Sequence, residues 1–139
     1  MAKSYRASLD VRGYELDGYG HVNHAVYINY LEFARWKMLE EEGINVKHFA
    51  EWKRWPIIAA LEMKYMKPCY LGDHLEIRSK IVDHSRARFV VEQEILRHET
   101  PVARGTIQVV IVNEKGKPAD LPPEITRLWA HQSDAGGGI

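Results

Sequence analysis

The 139-residue chain has one cysteine, Cys69, which excludes an internal disulfide and any metal site built from several cysteines. It has no long apolar run. Nothing approaches the ~20 consecutive apolar residues of a membrane span, and the first ten residues, ending Tyr5-Arg6-Ala7-Ser8-Leu9-Asp10, carry no signal-like apolar core. It has no excess of either charge: 19 Lys and Arg face 19 Asp and Glu. That balance argues against a generally basic nucleic-acid binder or a polybasic membrane protein. There is no Gly-x-Ser-x-Gly elbow, no internal repeat and no linker. Together these absences predict a soluble, cytoplasmic protein.

What is present is enough for one domain. The apolar fraction is 45%, ordinary for a globular chain. The reading is a single domain over residues 1–132, followed by a Gly-rich flexible tail over 133–139. Tyr5, Ala7, Leu9 and Val11 alternate with Arg6, Ser8 and Asp10, which predicts a half-buried strand. Asn23 is an N-cap candidate and Gly43 a stop, so a helix is expected from there to about Glu42. Its apolar residues point almost all round the axis, from Ala25 to Leu39. That predicts a central helix wrapped by other structure, with only Glu40-Glu41-Glu42 solvated.

Four further strands follow. Ile57, Ala59, Leu61, Met63 and Tyr65 are expected on one face of the first. Leu75, Ile77, Ser79 and Ile81 share a face of the next, up to a break at Asp83-His84-Ser85. Phe89, Val91 and Ile95 share a face of the third. Thr100-Pro101 is read as the turn before a last strand, Val102 to Asn113, which is apolar on both faces and therefore central. Short turns favour antiparallel neighbours among these four. Pro122-Pro123-Glu124 opens a short C-terminal helix. The order predicts an α+β fold, a helix on one face of an antiparallel sheet.

Chemistry concentrates between Glu15 and Arg35. Asp17, a Gly-rich turn, His21, Asn23 and His24 precede the N-terminus of the long helix. Free backbone N–H groups and the positive end of the helix dipole lie there, and both stabilise a nearby oxyanion. A carboxylate beside them can attack a carbonyl or polarise a water. Structural roles compete residue by residue. Asp17-Gly18 is a common turn pair, Asn23 suits a cap, and Glu32 and Arg35 have the spacing of a helical ion pair. His21 and His24 lack a third ligand, so no metal and no cofactor is expected.

The run from Val11-Arg12-Gly13-Tyr14-Glu15-Leu16-Asp17 through Gly18-Tyr19-Gly20-His21-Val22-Asn23-His24-Ala25-Val26-Tyr27 to Tyr30-Leu31-Glu32-Phe33-Ala34-Arg35-Trp36 resembles the signature of hotdog-fold acyl-CoA thioesterases. It is most similar to the 4-hydroxybenzoyl-CoA thioesterase-like group, and within it to the bacterial long-chain acyl-CoA thioesterase III type. The resemblance implies a hotdog fold, a curved antiparallel sheet around a long helix. It implies Asp17 as nucleophile or general base and the backbone N–H of His24 as oxyanion donor. His21 and Asn23 match a His-Val-Asn motif that shapes the site, and Tyr27 falls on a position lining the acyl pocket. His24 departs from the commoner Asn there. A thiolate leaves readily near neutral pH, so one carboxylate and one oxyanion hole suffice.

Lys64, Lys67, Arg86 and Arg88 are candidate contacts for the phosphates of CoA. The resemblance also implies a homodimer or homotetramer, with the site between subunits. An apolar last strand left at a sheet edge would need such cover. No nucleic-acid or membrane partner is expected. An acyl-carrier-protein thioesterase and a non-catalytic acyl-CoA-binding module are the competing readings.

Overall fold

Alternation at the N-terminus produces the first strand. In the computed structural model, β1 (Tyr5–Asp10) buries Tyr5 and partly buries Ala7 and Leu9 on the same side. The structure describes residues 3–130, and the predicted tail from Ser133 lies outside the described residues. After a 3-10 turn at Gly13–Glu15, α1 spans His24–Glu41. The Asn23 carboxamide oxygen accepts the Ala25 N–H at 3.0 Å, the cap expected from sequence. Gly43 leaves the helix at φ 75°, a left-handed turn that glycine adopts without strain.

The helix is less enclosed than its composition predicts. Tyr27, Tyr30, Leu31, Ala34, Met38 and Leu39 are buried, but Ala25 is exposed and Trp36 is 40% exposed. The sheet covers one side of it. Glu40 and Glu41 are solvated as expected, but Glu42 is not. Its carboxylate takes hydrogen bonds from Lys3 Nζ and Tyr5 Oη, each at 2.7 Å. The Glu32–Arg35 pair does not form either. Arg35 donates instead to the Gln93 side-chain oxygen at 3.0 Å. Gln93 is fully buried and donates to Ser79 Oγ and the Leu31 carbonyl.

The remaining strands are β2 (Trp55–Tyr65), β3 (His74–His84), β4 (Arg88–Arg97) and β5 (Thr100–Val112). They form one antiparallel sheet in the order β1-β3-β4-β5-β2. This is the α+β, hotdog arrangement. β5 is interior, as its two apolar faces require, so it needs no cover as an edge. The edges are β1 and β2, and on β2 Ile57, Ile58, Leu61 and Tyr65 remain accessible. β2 and β3, expected to be neighbours, are separated by β5 and β4. The link 66–73 crosses the end of the sheet between them. Its backbone is satisfied at both ends, Met66 and Lys67 N–H on the Val102 carbonyl and Gly72 N–H on the Val11 carbonyl.

Local irregularities explain three further departures. A bulge between Ile58 and Ala60 shifts the β2 register by one residue. Pro56 and Ile58, opposite Ile111 and Val109, therefore share the inward face with Leu61 and Met63, in place of Ile57 and Ala59. β3 continues through His84, past the expected break at Asp83. The β4–β5 turn is His98-Glu99, with φ 49° and 67° at the two residues, and not Thr100-Pro101. Two left-handed residues match the twist of a tight hairpin. Pro101 lies within β5 beside a register irregularity, where a missing N–H is tolerated.

The sequence reading also passes over a short helix, α2 (Val46–Trp52), capped by Asn45 and anchored by buried Phe49. At the C-terminus, residues 123–126 form turns and residues 127–130 are helical. α1 sits close on the sheet at Gly105. A Cβ there would lie 2.5 Å from Leu31 Cδ1 and 3.0 Å from Met63 Sδ. A side chain there would require the Leu31 end to shift.

Candidate active site

The segment before α1 folds into a closed pin. Leu16 and Val22 bridge in antiparallel fashion, and Asp17 N–H donates to the His21 carbonyl at 2.7 Å. Gly20, at φ 80°, makes the reversal. One carboxylate oxygen of Asp17, Oδ1, accepts the backbone N–H groups of Tyr19 at 2.8 Å and His21 at 3.2 Å. Asp17 is thus a turn former, as its Asp-Gly context suggests. Its second oxygen accepts nothing among the described residues. The pin is tied down by Val22 N–H on the Cys69 carbonyl and Asn23 N–H on the Glu15 carbonyl, both at 2.9 Å.

At the helix N-terminus the donors divide. The Ala25 N–H goes to the Asn23 side chain and the Val26 N–H to the Asn23 carbonyl. The His24 N–H, the first of the helix, has no acceptor among the described residues. Asp17, His21, Val22, His24, Tyr27 and Lys67 line one open cleft of about 310 Å³, completed by Tyr65, Met66 and Pro68. Asp17, with one carboxylate oxygen unengaged, and His24, with its backbone N–H unengaged, therefore line the same cleft. An acceptor or nucleophile beside an anion-stabilising donor can do acyl-transfer chemistry.

The floor and walls are aromatic. Tyr27 is buried, with Tyr30 and Tyr65 rings edge-on at 6.1 and 5.4 Å. Burial and its hydrogen bond with Cys69 push the Tyr27 phenol up from its usual pKa. Burial likewise raises the Cys69 thiol, which is fully enclosed and carries no disulfide. Tyr65 donates its hydroxyl to the His24 carbonyl at 2.8 Å, pinning the first turn of α1 to β2. The His21 ring lies between Tyr19 and Tyr70.

The predicted site residues do not all converge. Asn23 adjoins the cleft with its side chain spent on the cap. Lys64 is exposed on β2 opposite Arg104, near the cleft but not lining it. Arg86 and Arg88 stand at the other end of the sheet, paired with Asp120 and Asp83. Arg88 lies opposite Val110, whose other neighbour is Ile57. Ile57 and Tyr65 are about 26 Å apart along β2 at roughly 3.3 Å per residue.

Sequence reading does not bring Tyr65, at the end of β2, or Met66 and Pro68 to the cleft, because it takes the crossing link 66–73 for a simple turn. It also missed Glu15, whose Arg-x-x-Glu spacing from Arg12 signals only a local cap. No group of three or more His, Cys, Asp or Glu side chains gathers as for a metal ion among the described residues. None of the helices described is long and apolar enough to cross a membrane.

Fold and cleft together define a helix-on-sheet α+β domain with a carboxylate-bearing cleft beside the helix N-terminus. Residues 11–128 match the Thioesterase-like superfamily, and the chain belongs to that family. Among its relatives is the chloroplastic acyl-acyl carrier protein thioesterase ATL3 of Arabidopsis thaliana, 32% identical over 97% of this chain and 74% of that protein. The long-chain acyl-CoA thioesterase FadM of Escherichia coli is 34% identical over 55% of this chain and 57% of its own length. A Thermus thermophilus thioesterase, solved with coenzyme A and Zn, superposes with a TM-score of 0.76 at 30% identity, covering 88% of this chain and 94% of that one.

Proposed function

We propose that this protein hydrolyses acyl-CoA to a free acid and CoA. The observation that carries the reading is the shared cleft: Asp17, which keeps an unengaged carboxylate oxygen, and His24, the first residue of α1, both line it. The thioester carbonyl oxygen sits against the His24 N–H, where the helix dipole favours developing negative charge. Asp17 attacks the carbonyl carbon directly, or takes a proton from a water that does. The C–S bond then breaks and CoA leaves as thiolate; on the direct route a water then cleaves the mixed anhydride on Asp17, releasing the acid and restoring the carboxylate. Rapid-quench mass spectrometry separates the two routes, since only direct attack leaves the acyl group on the Asp17 peptide. His21 shapes the cleft wall, Tyr27 forms the floor of the acyl pocket, and Lys67 in the cleft lining and Lys64 on β2 are cations for CoA phosphates.

Arg86 and Arg88 enter this reading through a dimer. β2 is an exposed edge with apolar residues on it, which invites pairing with another strand. Antiparallel pairing of two β2 edges carries the Arg86–Arg88 end of one copy toward the Asp17 cleft of the other. A homodimer, or a tetramer of two such pairs, is expected. Light scattering after size exclusion tests it, and a stable, active monomer would overturn it. The cytoplasm, a reducing compartment, suits the single unpaired Cys69.

A second reading is favoured by one observation, the ATL3 match along nearly the whole chain: hydrolysis of acyl groups from an acyl carrier protein. The same acyl chain presented on CoA and on carrier protein decides between them by kcat/KM. Thiol release from a panel of acyl-CoAs, with Asp17→Asn alongside, tests the activity itself. Equal, slow release by both proteins would sink the assignment of Asp17, and binding without turnover would favour a non-catalytic module.

A further inference from the structure

Two residues before Asp17 stands a second carboxylate that the proposed chemistry does not use. Glu15 is only 5% exposed. Its carboxylate accepts the Arg12 backbone N–H at 2.8 Å, Arg12 Nε at 3.0 Å, Arg12 Nη2, and the Tyr30 hydroxyl at 2.7 Å. Its carbonyl oxygen accepts the Asn23 N–H at 2.9 Å. One residue therefore joins the 3-10 turn, the interior of α1 through Tyr30, and the helix cap immediately before His24.

The arrangement matters because the intervening pin is closed on itself. Leu16 bridges to Val22, and Asp17 bonds to Tyr19 and His21. Such a unit moves as a body, and its base is fixed where Glu15 meets Asn23 and Tyr30. Burial by itself favours the neutral acid. The donors from Arg12 and Tyr30 outweigh it and hold the Glu15 carboxyl below the usual glutamate range. An anion at this depth, with its acceptors spent on positioned donors, is a rigid anchor and not an exchangeable surface charge.

We infer that Glu15 is a positioning residue that fixes the Asp17 carboxylate relative to the first turn of α1, its side chain acting through the Tyr30 hydroxyl while its backbone carbonyl holds the Asn23 N–H. It does not touch the substrate. The inference rests on the proposal that Asp17 and the His24 N–H carry the chemistry. Misplacement of a reacting group by about 1 Å costs on the order of 100-fold in rate. A loosened anchor is therefore read in kcat more than in KM.

The test uses the full chain with Glu15→Gln, which keeps shape and removes charge, and Tyr30→Phe, which removes one hydroxyl. Each is made in the wild type and in Asp17→Asn. In the wild-type background both are expected to lower kcat about 10- to 100-fold with KM within about twofold. Titration with a non-hydrolysable thioether analogue of the acyl-CoA should still fill every site. In the Asp17→Asn background neither substitution should lower the residual rate further, because the anchor acts through Asp17. Wild-type kcat in both variants would overturn the inference, as would equal losses in the two backgrounds. Should Glu15→Gln not fold, Tyr30→Phe carries the test alone. Full activity of Asp17→Asn would instead overturn the underlying assignment, a separate and distinguishable result.

Discussion

Helix α1 is held at each end by a tyrosine hydroxyl donating to a glutamate at 2.7 Å with a basic side chain beside it. At the N-terminal end the set is Tyr30, Glu15 and Arg12; at the C-terminal end it is Tyr5, Glu42 and Lys3. The chemistry is the same and the outcome differs. At the C-terminal end the clamp closes the fold, tying β1 to the helix. A carboxylate beside a helix C-terminus is disfavoured by the dipole, so Lys3 and Tyr5 are needed to hold Glu42 there. At the N-terminal end the clamp leaves something open: the His24 N–H and one Asp17 oxygen keep no partner among the described residues. The same kind of clamp closes the fold at one end and, in the proposed reading, positions the groups that act on the substrate at the other.

The largest expected effect tests the open end. Asp17→Asn should lower thiol release from acyl-CoA by about 10²- to 10⁴-fold while leaving the melting temperature close to wild type. The paired substitutions Glu15→Gln and Glu42→Gln test the contrast directly. Steady-state kinetics should show a fall in kcat for the first and an unchanged kcat for the second. Equal kinetic losses would erase the distinction between the two ends.

Between the ends, Gly105→Ala should destabilise the fold by about 1–3 kcal/mol in urea unfolding, because a methyl group there drives Leu31 away from the sheet. Glu42→Gln should cost about 1–2 kcal/mol in the same measurement, as expected for lost hydrogen bonds to a charged group.

The smallest effects are in pH. Glu15 is held below its ordinary value, so the unfolded chain binds the extra proton first. Its contribution to stability is full above the ordinary glutamate value near 4.3 and is lost as pH falls below it. Thermal unfolding of Glu15→Gln should show a shallower acid slope. Tyr5 and Tyr30 are both raised, by burial and by their glutamates. Their contribution is full below the ordinary tyrosine value near 10 and is lost above it. Alkali should weaken both ends together, and Tyr5→Phe and Tyr30→Phe should each reduce that alkaline slope.

Much of this was legible in the chain. Asn23 and Gly43 delimit α1 because capping is local chemistry, and the alternation in β1, β3 and β4 reports burial on one face. The reactive segment was legible because its Asp, Gly, His and Asn residues are contiguous. The rest was not. The β2 face was misread because one bulged residue inverts a period-two pattern. The β4–β5 turn was placed at Thr100-Pro101 because proline is a strong breaker, while a left-handed His98-Glu99 pair has no compositional sign. Arg35 was paired with Glu32 by helical spacing, but a buried Gln93 on a strand far away in sequence took the bond.

The sequence by itself determined the α1 cap, the alternation of β1, β3 and β4 and the contiguous Asp-Gly-His-Asn segment, because these follow from interactions within a few residues. Tertiary structure alone decided that β2 leaves β3 for a sheet edge, that the 66–73 link lines the Asp17 cleft, and that Glu15 bonds to Tyr30 and to the Asn23 N–H. Those outcomes depend on which distant backbone and side-chain partners are free to accept a hydrogen bond, which no local pattern records.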